Sequence, residues 1–266
     1  MARDSRPHAL RLTHTSTIAR FTVLEALRTR LPWLWLGVLA SIGAASAFVN
    51  QIAITESERL QWSFYASGVR LAAVFTSVLY ITSSMVRELN EKGMEVALAL
   101  DMPRASYVAG KLAAFVLVTA AMALLAAAPL ALVRPLAGVG LWAVSLACEL
   151  AIVAAFTVFC ALSFGHVVPA ILAVSAFYLL ARSIDALRLL SDSAVLGELD
   201  GVRWLFEHAF EIVALLLPAL DRFTLTEWIV ARSVDALALV PILAQTLGYA
   251  AVLLGASLVD FYRREL

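Results

Sequence analysis

Charge is scarce in this chain. Asp, Glu, Lys and Arg make up 15% of its 266 residues, against about a quarter in an ordinary soluble domain. With 62% of residues hydrophobic and a mean hydropathy of +0.88, too little polar surface is left to cover a water-soluble fold, which leaves a polytopic membrane protein. The formal net charge is zero and no basic stripe is interleaved with aromatics, which excludes nucleic acid as a partner. Cysteine is limited to Cys148 and Cys160. They lie in one apolar run, about 120° apart on a helix, and read as buried thiols, not as a disulfide framework or a thiolate metal site. None of the four histidines, His8, His14, His166 and His208, has a second His or Cys at ligand spacing, so neither a metal site nor a catalytic constellation is visible. Lysine is nearly absent, with Lys92 and Lys111 set against 18 arginines. With abundant alanine and leucine, that bias fits a GC-rich bacterial source. The first thirty residues lack an apolar core followed by a small-residue cleavage site, so no cleaved signal peptide is expected.

What the chain does have is long apolar runs. A helix crosses the hydrocarbon with about 20 apolar residues, and strand alternation is missing, so helices are expected to span. The pattern predicts an all-α membrane protein forming a single transmembrane domain over residues 1–266. Its six spans are Leu31–Val49, Val69–Val86, Leu112–Val133, Leu141–Phe164, Val167–Ala181 and Ala236–Val259. Trp62 and Tyr65 are interfacial anchors before the second span, and Arg70 near its outer end is placed to snorkel. Pro129 is placed to kink the third span. Gly165 and His166 leave room only for a tight helical hairpin between the fourth and fifth. Before the first span, Ser16 to Arg30 mixes arginine with a stripe of Phe21, Leu24, Leu27 and Leu31. That suits a helix lying along the cytoplasmic interface, and a solvated basic tail is the competing reading.

Two polar stretches interrupt the runs. Residues 182–235 form the larger, with five basic and nine acidic residues. Within it Val202 to Leu217 reads as an amphipathic helix stopped by Pro218, either a lid over an exit path or a brace for the last two spans. Its acidic face suits a basic periplasmic partner. The other, Arg87 to Lys111, packs four acidic and four basic residues between two spans and reads as a water-exposed structured loop, a socket for a soluble partner. With the N-terminus inside, inner segments hold 12 basic and 8 acidic residues and outer ones 8 and 11. The positive-inside rule then puts both termini and the 87–111 loop in the cytoplasm and the 182–235 insertion outside.

In the loop, Glu91, Lys92 and Gly93, the apolar run Val96 to Leu100, then Pro103, Arg104, Tyr107, Gly110 and Lys111 resemble the cytoplasmic loop between the second and third spans of type 2 ABC-transporter permeases. The similarity extends to the outline: an interfacial helix, six spans, an extracellular helical insertion between spans five and six, and a basic ending at Tyr262, Arg263 and Arg264. The stretch Leu216 to Phe223, LLPALDRF, is similar to a segment in the branch that includes copper-enzyme maturation permeases. The chain departs from the pattern at Met94, where many members have threonine, and at Asp101, where many have proline. The resemblance implies that the loop folds into a coupling helix docked on an ATPase subunit, through Glu88, Glu91, Lys92, Gly93, Met94, Glu95, Leu98, Asp101, Pro103 and Arg104. It also implies that ATP and Mg are bound by that partner, with no cofactor in this chain. A second permease chain, identical or different, would complete the complex in the bacterial inner membrane, in contact with lipid. Physically, Met94, Ala97 and Leu98 ringed by charge make a small apolar centre with a polar rim, and Pro103 pre-sets the first turn of the next helix. Gly110-Lys111 is followed by leucine and lacks the earlier glycine of a phosphate loop, so the chain itself is not expected to hydrolyse ATP.

Glu149 is the one acidic residue deep inside a predicted span, where a charge costs about 2.5–3.5 kcal/mol unless it is partnered. It either lines a substrate path or forms a structural pair, with Arg70 as the nearest candidate. Gln245 completes the intramembrane polar set, alongside hydroxyls that serve as packing contacts. Three functions remain: an ATP-driven exporter subunit, a membrane subunit relaying mechanical work to an outer partner, and an intramembrane enzyme using Glu149 and His166.

Overall fold

A computed structural model of the chain describes residues 6–52, 57–91, 104–191, 217–230 and 236–263, with side chains from Thr15 onward except at 104, 184–191, 230 and 236. These residues are almost wholly helical, and no strand occurs among them. Helix α1 spans Arg6–Arg28, α2 Leu31–Ile52, α3 Ser57–Asn90, α4 Arg104–Ala131, α5 Leu136–Phe164, α6 Val167–Ser191 and α7 Leu239–Arg263. A 3₁₀ turn at Leu220–Arg222 and a helical turn at Glu227–Val230 lie between α6 and α7. Five helices, α2, α3, α4, α5 and α7, are long and apolar enough to cross a membrane. The chain is a multi-pass membrane protein. The fifth predicted span falls on α6, whose apolar part, Val167–Ser183, is shorter than the other five.

The helices outrun the apolar stretches that announced them. α3 is 34 residues long and α4 begins at Arg104, eight positions before the predicted span. A helix keeps its backbone hydrogen bonds whether its side chains are polar or not, so charged ends that stop a hydropathy window do not stop the helix. The predicted water-exposed loop is correspondingly shorter. Arg87 to Asn90 close α3 and Arg104 to Lys111 open α4, with Lys111 buried.

α5 is the axis of the bundle. Its sequence is apolar on every side and rich in alanine, the signature of a helix surrounded by protein, and it packs against α3, α4, α6 and α7. Small residues such as Ala151, Ala154, Ala155 and Ala161, all buried, allow neighbouring backbones to approach closely. α2 and α7 are peripheral and turn Trp33, Leu36, Phe48, Leu247 and Val252 outward, as expected of faces that meet lipid tails. Side chains reach across to neighbouring backbones: the Trp35 indole N–H donates to Met122 O at 3.2 Å and Tyr65 Oη to Ala126 O at 2.9 Å. Cys148 and Cys160 are both buried and unpaired.

From α2 onward successive helices alternate in direction, which gives the bundle two ends. One carries α1, the end of α3, the start of α4, the α5–α6 turn and the end of α7. The other carries residues 217–229. At the α5–α6 turn Gly165 adopts φ 66° and its N–H caps Ala161 O at 3.1 Å, a left-handed terminus that only glycine adopts without strain.

Candidate functional site

Two polar constellations stand out against this apolar frame, one at each end of the bundle. The first is built around Glu149, which is fully buried on α5. Tyr178 Oη on α6 donates to its Oε1 at 3.0 Å, and Thr224 Oγ1 donates to Oε2 at 2.9 Å. Arg182, one turn beyond Tyr178, holds Nη1 4.0 Å from Oε1, near enough for charge attraction but too long for a hydrogen bond. The same guanidinium donates to the backbone carbonyls of Leu220 and Phe223. Arg70 on α3 donates to Thr224 Oγ1 at 3.1 Å.

Thr224 is the hub. It sits at φ 50°, a left-handed conformation unfavourable for a β-branched residue and costing on the order of 1–3 kcal/mol. Its surroundings enforce it: the Thr224 N–H donates to Ser145 Oγ at 2.9 Å, while the hydroxyl bridges Arg70 and Glu149. With Leu220 and Phe223 fully buried beside it, the segment 217–229 is wedged into the bundle between α3, α5 and α6.

The expected direct pair of Glu149 with Arg70 is therefore replaced by a relay. Arg70 reaches the carboxylate through Thr224, and Arg182 is the nearest cation. Arg70 turns inward and does not snorkel outward. Gln245 is half-buried on α7 and takes no part in these bonds. The sequence reading missed Tyr178, Arg182, Ser145 and Thr224, although one signal was present. A two-residue turn at 165–166 folds α6 back so that residue 149 faces residue 182, with 178 one turn away on the same face.

The second constellation frames the predicted coupling stretch. Lys111, with a side chain only 6% exposed, pairs with Glu88, whose side chain is 25% exposed. Glu88 is also hydrogen-bonded by Tyr107, whose ring stacks on Phe261 at a centroid distance of 6.3 Å. Arg87 pairs with Glu25 of α1. α1, α3, α4 and α7 thus meet where residues 92–103 leave and re-enter the bundle. Glu91 is the last described residue of that approach and is exposed; Lys92, Gly93, Met94, Glu95, Leu98, Asp101 and Pro103 lie outside the described residues, as does the helix expected over 202–216. Arg104 opens α4. The stretch 16–30, expected to be helical, falls within the longer α1 up to Arg28.

α1 rests on α4 at Gly110. A Cβ there would lie 3.0 Å from both Ile18 Cβ and Thr15 O, so only glycine fits without moving α1. Gly110→Leu should cost about 1–3 kcal/mol through overpacking and lift α1 away. Limited trypsin digestion at Arg20 and Arg28 reads this out: the wild type resists and the variant is cut. A digestion pattern unchanged in the variant would mean that α1 is not held there.

Among the described residues no three His, Cys, Asp or Glu side chains converge on a common point. Glu149 and His166 lie about 25 Å apart along α5, too far to share a proton. Compared with family models and with curated proteins, the chain matches none.

Proposed function

We propose that the chain is the membrane-spanning subunit of an ATP-driven ABC exporter, moved by a separate ATPase through residues 87–111. The observation that carries this reading is the clamp at the mouth of that stretch. Glu88–Lys111 ties the end of α3 to the start of α4, and Arg87–Glu25 adds α1. A push on residues 92–103 would reach three helices at once as a rigid displacement. A solvated connecting loop needs no such bracing. The resemblance of Glu91 to Lys111 to a coupling element supports the same reading, with ATP and Mg held by the ATPase and a second permease chain completing the complex. The charge balance supports six crossings of a bacterial cytoplasmic membrane with both termini inside.

The second reading keeps the ATPase but carries no cargo, and it has a specific observation in its favour. The wedge of residues 217–229 packs at the far end against α3, one of the helices that the clamp grips, so motion of α3 would be delivered to an outer partner.

Affinity purification of the tagged chain from its own host tests both. An ATPase should accompany the wild type and be lost in the Glu91→Lys, Arg104→Glu double variant. If no ATPase accompanies the wild type, both readings fail.

A further inference from the structure

A groove of about 400 Å³ runs between α2 and α3 at the α1 end, within the size range of small-molecule sites. Its lower walls are Leu31, Leu34 and Leu79, the last two about half exposed on the outer surface of the bundle. Its mouth lies at the α1–α2 turn, where Thr29, Arg30 and Arg87 gather beside Ser83. Among the described residues, no acidic residue lines it. Arg87 is already paired with Glu25 from the adjoining cleft, so Arg30 supplies the net charge, and among the described residues its guanidinium has no acidic partner. The groove therefore joins one unbalanced cation and several donors at the interfacial level to an apolar trough that opens sideways toward lipid.

We propose that this groove holds one anionic phospholipid of the leaflet on the α1 side, with its phosphate between Arg30 and Arg87 and an acyl chain along Leu34 and Leu79. The chemistry matches at both ends. An arginine fork grips a phosphate through paired N–H donors, and leucine walls are indifferent to headgroup but favour hydrocarbon. A zwitterionic lipid would fill the trough equally well but bring its own cation to Arg30. Selectivity should therefore reside at the mouth and retention in the trough. The site does not depend on the transporter reading.

The test uses the full chain, purified in neutral detergent and stripped of lipid, then mixed with phosphatidylglycerol or with phosphatidylcholine of the same acyl chains and measured by native mass spectrometry. Phosphatidylglycerol should be retained about fivefold better, the equivalent of about 1 kcal/mol for one arginine at an anionic headgroup. Arg30→Gln should remove that preference, and Leu79→Trp should lower retention of both lipids while the preference persists. Both side chains are exposed, so neither change disturbs the core, and monodisperse elution verifies this beforehand. Equal retention of the two lipids by the wild type overturns the proposal, as does a preference that survives Arg30→Gln. Glycerol 3-phosphate alone should give no adduct at the same concentration; an adduct as strong as the lipid's would assign the site to a soluble phosphate instead.

Discussion

Glu149→Ala should unfold or disassemble the protein before it affects any turnover. The substitution leaves Tyr178 and Thr224 buried, and Arg182 partly buried, around a missing carboxylate, and removing one member of a buried ionic group costs about 3–5 kcal/mol, with the lower end expected where a partner keeps some solvent. The strained turn at Thr224 also loses one of the bonds that hold it. Glu149→Gln should be milder but still damaging: its amide N–H₂ must face the Thr224 hydroxyl, which already accepts from Arg70, so the hydroxyl proton is left without an acceptor. Thr224→Ser keeps the relay and should be tolerated, whereas Thr224→Val keeps the shape and should behave like the glutamine variant. Thermal unfolding of purified protein, with yield of the monodisperse form, gives the ranking. If Glu149→Ala remained as stable as the wild type but lost function, the cluster would belong to a transport path, and its structural role would be wrong.

Lys111→Ala should have the second largest effect, near the lower end of the same about 3–5 kcal/mol range because Glu88 keeps some contact with solvent. The paired change Glu88→Gln with Lys111→Met removes both charges and should recover much of the loss, since two neutral groups of similar shape leave nothing unpaired. A double-mutant cycle in chemical or thermal unfolding isolates the coupling. If the two single changes were additive, the clamp would contribute nothing as a pair. On the proposed function the recovered double variant has a further use. It should still bind its ATPase yet transmit the loop's displacement poorly, so binding and function would separate.

Much of this arrangement was legible in the residues. Apolar runs announced the helices, because burial in lipid needs length and hydrophobicity and little else. Gly165 announced its own turn. Glu149 and Arg70 were visible as ionisable residues in apolar surroundings. Tyr178 and Ser145 were not, because a hydroxyl in a span looks the same whether it packs or anchors a network. Thr224 was hidden further. It sits in a polar insertion that composition assigns to solvent, yet the apolar Leu220 and Phe223 beside it draw the segment into the bundle. Helix ends were misjudged wherever charge stopped the hydropathy signal, as at Arg87 and Lys111, which are paired within the fold.

The two-residue turn at Gly165 and His166 also bears on how the protein is made. During synthesis α5 enters the bilayer before the chain has produced Tyr178, Arg182 or Thr224, and a lone carboxylate at that depth costs about 2.5–3.5 kcal/mol. A long connection would leave Glu149 waiting. The tight turn instead makes Tyr178 and Arg182 the next partners that the chain supplies, in register with the acid. The wedge at 217–229 then adds the last, Thr224.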